Sequence, residues 1–157
     1  MVKGKKSQAW YLDFMVGLLI FVMVIIIYYQ YYGGLTDESE AELQELIIDS
    51  KSISSSFISA GYPRDWTNDT VEILGLTEGN YRINTTKLER MKNMTYKQTK
   101  DLLKTRFDFY FYLQDENGNV TDYAGTNSTD PSFLVQSTRF VICGSSVCKM
   151  VVHLWKE

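Results

Sequence analysis

The chain has 157 residues, 45% of them hydrophobic, and a formal net charge of −3. That length accommodates an apolar N-terminal segment and one small folded domain of roughly 100 to 125 residues, and it excludes a second full domain. With Lys3, Lys5, Lys6 and Asp13 set apart, 13 basic and 18 acidic side chains remain, a balance of −5 that offers nucleic acid no clustered basic face.

The first element is "KGKKSQAWYLDFMVGLLIFVMVIIIYYQYY", residues 3–32. Phe14 to Ile27 carries no polar side chain and would make a helix of about 21 Å, short of a bilayer core of roughly 30 Å. Trp10 and Tyr11 at one end and Tyr28, Tyr29, Tyr31 and Tyr32 at the other extend it to about 34 Å, with aromatic rings at both interfaces. The pattern predicts a basic leader over 1–8, a transmembrane helix over 9–32 and a head domain over 33–157. The lysines keep the N-terminus cytoplasmic and send the head outside the cell membrane. A cleaved secretory signal is the rival reading of the basic start and short apolar core. Against it, the exit "IIIYYQYYGG" places bulky tyrosines where signal peptidase needs small residues. Asp13, at the edge of the hydrocarbon, either caps the helix at headgroup level or awaits a positive charge from another subunit.

The leader "KGKKSQ", then a few residues, one acidic side chain and an uninterrupted apolar helix resembles the class III signal of archaeal type IV pilins and pilin-like proteins. The resemblance is specific over residues 3–32 and only architectural beyond. It implies that a prepilin peptidase cuts between Ser7 and Gln8, leaving Asp13 as the sixth mature residue. The retained helix would anchor the subunit, then pack among like subunits in a filament core under the pilus assembly machinery. Asp13 would neutralise the newly freed amine of an adjacent subunit.

Gly33 and Gly34 predict a kink or short hinge, and Asp37 with Glu40 predicts a capping box that starts a second helix. Leu43, Leu46, Ile47, Ser50, Ser54, Phe57 and Ile58 follow helical spacing, and Gly61 and Pro63 end it. This helix carries six carboxylates before its first cation, Lys51, whereas 82–106 holds eight basic residues against Glu89 and Asp101. The carboxylates read either as a solvated face or as the complement of that basic stretch, within one head or between subunits.

"GYPRDW" reads as a turn, "VEILGL" as a short strand or buried loop, and Trp66 as a core or lid residue. "NTTKLERMKNM" and "TYKQTKDLLK" predict two short helices, capped by Asn84 or Thr85 and by Thr95. From Phe107 the period becomes two: Phe107, Phe109, Phe111 and Leu113 share one face of a half-buried strand. Asn117 and Gly118 predict a hairpin into a strand over Val120–Tyr123, and "SFLVQSTRFVIC" and "VCKMVVHLW" supply two more strands. The fold class is therefore α+β: an N-terminal transmembrane helix, then an amphipathic helix packed on a C-terminal antiparallel sheet, the layout that pilin heads share.

Cys143 and Cys148 flank a four-residue turn and, outside the membrane, favour a disulfide over free thiols. Five of the seven asparagines lie in N-x-S/T sequons, Asn68, Asn84, Asn93, Asn119 and Asn127, where chance would place about one. That enrichment points to a glycosylated extracellular surface, although Ser and Thr beside Asn also serve caps and turns. No nucleophile elbow, phosphate loop or metal-ligand pattern is present, and His153 is the single histidine, so neither catalysis nor a metal or cofactor is expected. Two further readings stand beside the pilin-like one. An uncleaved single-pass anchor would display a binding or sensing module, and an envelope enzyme would need a deep pocket with convergent polar groups.

Overall fold

The computed structural model describes residues 5–156, the side chains of residues 5–9 and 33–38 excepted. In chain order the elements are α1 (Lys5–Phe57), α2 (Thr85–Lys92), α3 (Tyr96–Leu103), β1 (Asp108–Gln114), β2 (Val120–Gly125), β3 (Phe133–Cys143) and β4 (Ser146–Lys156). They belong to two compact units, Met1–Glu42 and Leu43–Glu157.

The expected break at Gly33 and Gly34 is absent. Helix α1 runs through both, and Asp37 lies inside it instead of capping a second helix. Two interior glycines cost about 1–2 kcal/mol relative to alanine. Helix already nucleated on both sides, with the strong formers Glu40 to Leu46 following, adds a bond per residue and overrides that penalty.

In the second unit the last turns of α1 bury Leu46, Ser50, Ile53, Ser54 and Phe57, spaced as one helical face. That face packs with Phe107, Phe109, Phe111 and Leu113 of β1 and its approach and with Met150, Val152 and Leu154 of β4. Phe57 meets Phe111 edge-on at 5.2 Å between ring centres. Polar seams border the contact: Thr105 donates to the Asp49 carboxylate at 2.7 Å, Arg106 pairs with Glu45 at 2.5 Å, and Ser137 shares a hydrogen bond with Ser54 at 2.9 Å. At Glu45 the acidic helix therefore meets the basic stretch inside one head.

Between α1 and α2 the chain forms a buried loop. "VEILGL" contributes Leu74 and Leu76 to the core, and its only bridge is Ile73 to Tyr62. Trp66 is fully buried, and its indole donates to the Gly75 carbonyl at 2.9 Å. Of the two caps expected for α2 it is Asn84 that accepts from the Lys87 amide, and Thr95, the expected cap of α3, forms a capping box with Gln98.

The sheet is antiparallel throughout, in the order β2-β1-β4-β3. Strands β3 and β4 join through a two-residue turn, Gly144–Ser145, with φ +63° at Gly144 and no positive φ at Ser145. Positive φ at the first central position alone is the II′ arrangement, which suits the twist of a hairpin and favours glycine there. The connection from β2 to β3 joins opposite edges of the sheet. It is tied at its ends by Thr126 to the Phe109 carbonyl and by Ser132 to the Lys156 carbonyl.

The register sorts side chains between two faces. Phe109, Phe111, Val152 and Leu154 face α1, while Tyr110, Tyr112, Val151, His153 and Trp155 take the other side. Val151 and Trp155, each 2% exposed, are buried on the outer face and lie outside the main core cluster.

Candidate assembly helix and the outer face of the sheet

From Trp10 to Tyr32 every side chain is exposed, over 23 residues long and apolar enough to cross a membrane. Phe21 and Ile27 are 61% and 63% open. A soluble surface does not carry an apolar patch of this length without a lipid or protein partner. Its two ends carry aromatic pairs. Trp10 stacks on Phe14 with centres 6.3 Å apart, and Tyr28 stacks on Tyr32 at 4.6 Å. Asp13 is exposed one residue before the apolar run, on the same turn as that first pair. The side chains of Ser7 and Gln8, where cleavage is expected, lie outside the described residues, as does most of the basic leader.

The other expected site residues lie in the second unit. Cys143 and Cys148 are bonded, with Cα atoms 6.0 Å apart. Asn68, Asn93, Asn119 and Asn127 are exposed. Asn84 is half-buried, and its amide is engaged at both ends, donating to Glu78 at 3.1 Å while its oxygen caps α2. Asn119 donates to Asp115 at 3.2 Å within the β1–β2 turn. Asn84 and Asn93 bound α2, and Asn68, Asn119 and Asn127 lie in three different loops.

Comparisons with protein families, with characterised proteins and with solved structures return no match for this chain.

Three arrangements were not anticipated from sequence. The first is an aromatic cluster on the outer face, where the Tyr110 ring lies 5.7 Å from Tyr112 and 6.2 Å from Tyr123. His153 meets Tyr112 edge-on at 5.5 Å, and its Nε2 lies 3.2 Å from the Gln136 side-chain oxygen. Burial lowers the His153 pKa and raises that of the Tyr110 hydroxyl, the latter helped by Tyr123 and Tyr112. Both shifts favour the neutral form.

The second is Lys87, a buried ammonium on α2 that donates to the Ala60 carbonyl at 2.7 Å and the Thr77 carbonyl at 3.1 Å. Burial lowers its pKa, against the pull of Asp65 and Glu78. The third is a half-open groove of about 420 Å³ between α2, α3 and β2, floored by Phe109. Tyr96 stacks on that ring at 5.1 Å. The polar groups on its rim already serve one another: Lys92 binds Asp122 at 3.0 Å, and that hydrogen bond raises the Lys92 pKa. Nearby, burial alone would raise the pKa of Asp108, but hydrogen bonds from Lys100 and Tyr96, both at 2.7 Å, outweigh it and lower the value. No group of three metal-binding side chains occurs among the described residues.

Proposed function

We propose that this chain is a pilin-like subunit of an archaeal type IV pilus or a related surface filament or secretion apparatus. The observation that carries the reading is the exposed apolar stretch from Trp10 to Tyr32, continuous along α1 with turns that pack on a four-stranded antiparallel sheet. In this reading a prepilin peptidase removes the basic leader, the apolar helix holds the subunit in the membrane, and the head sits outside the cell. Assembly then exchanges lipid contacts for contacts with like helices. Little hydrophobic energy is gained in that exchange, so packing and paired polar groups drive it, with Asp13 meeting the freed amine of its neighbour. Four exposed sequons, at Asn68, Asn93, Asn119 and Asn127, leave room for sugars on the head. The role is structural, with no catalytic step and no cofactor.

The second reading is an uncleaved single-pass anchor that presents a binding or sensing module. It is favoured by the exposed Tyr123 and the half-exposed Tyr110, Tyr112 and His153 grouped on the outer face of the sheet. Mass spectrometry of the native N-terminus separates the two. A chain starting at Gln8 or Ala9, found by peptide mapping in purified surface filaments, supports the subunit; single copies in the membrane that retain Lys3 to Ser7 support the anchor and sink the first reading.

A further inference from the structure

The two edges of the sheet are unlike. Strand β2 has six residues, pairs with β1 through a register shift at Leu113/Gln114, and is flanked by α2 through Lys92 and Asp122. Strand β3 has eleven residues, all paired with β4 without a shift, and contains no proline or glycine. Its single charge, Arg139, is turned inward with Nε 3.3 Å from the Ser54 hydroxyl. Natural edges are blunted by short length, bulges, prolines, outward lysines, inward charges or a covering loop; β3 has the inward Arg139 and a segment bound over Ile142, but from Leu134 to Phe140 it has no bulge, no proline and no outward charge.

The direction of its backbone groups follows from the hairpin. A two-residue turn makes Cys143 and Ser146 a narrow pair that exchanges both hydrogen bonds, so the odd-numbered residues of β3 direct their N–H and C=O groups to β4. The even-numbered residues direct theirs outward. Ile142 demonstrates this: it donates to the Tyr81 carbonyl at 2.8 Å and accepts from the Ile83 amide at 2.9 Å. Among the described residues that bridge is the only backbone pairing on the outer edge, so Leu134, Gln136, Thr138 and Phe140 present unpaired edge groups.

We propose that this edge is a self-association surface, on which a second copy of the chain docks its own β3 antiparallel about a twofold axis at Ser137. Leu134, 45% exposed, and Phe140, 66% exposed, lie three residues to either side of Ser137 on the outer face. The twofold sets each Leu134 against the Phe140 of the other copy and each Gln136 against its Thr138. All four pairs are even with even, so outward groups meet outward groups and form about eight hydrogen bonds. A slip of one residue would oppose odd with even and lose the ladder, and a slip of two would set Leu134 against Thr138 or against Ile142, whose edge groups already bind Tyr81 and Ile83. The placement of Leu134 and Phe140 at equal distances from Ser137 is what an isologous contact requires, and this symmetry is the ground for naming a second copy as the occupant.

The test uses the full-length chain in detergent micelles. Ser137 lies on the axis in a wide pair, with Cα atoms about 4.5 Å from its symmetry mate, so Ser137→Cys chains should cross-link on oxidation. Val120→Cys, exposed on the other edge strand, should not. Thr138→Pro removes an outward donor that β4 does not use, and in the Ser137→Cys background it should reduce cross-linking on the order of tenfold with the melting curve unchanged. Phe140→Lys, at an open outer-face position, should give the same loss with less demand on the backbone. Asp13→Ala should leave cross-linking intact, which separates this contact from association through the apolar helix. Cross-linking no stronger than that of Val120→Cys, persistence in both blocking variants, or a monomer that instead adds a foreign extended peptide to β3, would overturn the proposal.

Discussion

Cys143 and Cys148 are joined by a disulfide although neither is the other's cross-strand partner: Cys143 stands opposite Ser146, and Cys148 opposite Val141. The bond is therefore a diagonal brace across the end of the β3–β4 hairpin. It closes a small loop, so in the chain-entropy model it contributes only about 2 kcal/mol. Replacing both cysteines by serine should lower stability by about that amount, plus a smaller loss from the buried Cys148 position, without unfolding the head. Chemical denaturation with and without reductant measures it, and a loss well above about 4 kcal/mol would show that the brace does more than tether the hairpin.

Gly75 sits where two stretches of backbone touch. A Cβ there would lie 2.5 Å from the Ser59 carbonyl oxygen and against the backbone of Gly61 and Ala60. Neither is the yielding end of a side chain, and the Gly75 carbonyl also holds the Trp66 indole. Gly75→Ala should therefore cost about 3 kcal/mol or more, measured by thermal or urea unfolding. An unchanged midpoint would mean that the loop beneath Trp66 yields far more easily than its packing implies.

Ser50 and Ser54 lie on the same buried face of α1 and differ in one respect. The Ser54 hydroxyl bonds to Ser137 and Arg139, whereas the Ser50 hydroxyl is buried without a partner. An unsatisfied buried hydroxyl is a penalty, and removing it should be neutral or stabilising by about 1 kcal/mol. Ser54→Ala should instead cost about 1–2 kcal/mol by leaving Arg139 without that acceptor. Equal effects of the two variants in equilibrium unfolding would remove the distinction.

These elements differ in how far they could be read from sequence. The period-two run at Phe107–Leu113 and the caps at Asn84 and Thr95 were legible because the residues that determine them lie within a few positions of one another. The continuity of α1 across Gly33 and Gly34 was not, because a breaker's local cost says nothing of the cooperative helix on either side. Nor was the burial of Lys87, which depends on carbonyls at Ala60 and Thr77 brought together by tertiary folding. Alternation placed tyrosines on the outer face of β1, but their meeting with His153 depends on strand order, and β4 lies between β1 and β3 although it follows both in the chain. The diagonal disulfide was legible as a pair but not as a register, since the four-residue spacer conceals a two-residue turn.

Lys87 supplies a pH dependence with a definite sign. Its pKa is lowered in the folded state, chiefly by burial, below the ordinary value of 10.5. Below the folded value both states hold the proton, and the folded state bears the full penalty of burying it. As the pH rises through the folded value, the native chain releases its proton before the unfolded one does, so stability rises until about 10.5 and then levels off. Lys87→Met should abolish this alkaline gain. It should also leave the Ala60 and Thr77 carbonyls without their donor, costing about 1–3 kcal/mol at pH 7. Urea unfolding of both proteins between pH 7 and 10.5 tests the sign, and a wild-type gain no larger than that of the variant would assign the effect to other groups.

Asp13 is where the assembly reading meets its strongest test. A carboxylate beside the apolar run opposes membrane insertion, by about 2.5–3.5 kcal/mol at a bilayer centre and less near the interface. Asp13→Ala should therefore hold the subunit in the membrane at least as well as the native chain. If the carboxylate pairs with the amine freed on a neighbouring helix, the same change removes a contact of about 1–2 kcal/mol at every joint of a filament. Membrane retention and filament yield should then move in opposite directions, and Asp13→Glu should recover part of the yield. Fractionation of membranes and filaments, with the chain quantified in each, provides the measurement. Unchanged filament yield in Asp13→Ala would leave the carboxylate as a helix cap at the headgroups and would favour the solitary anchor.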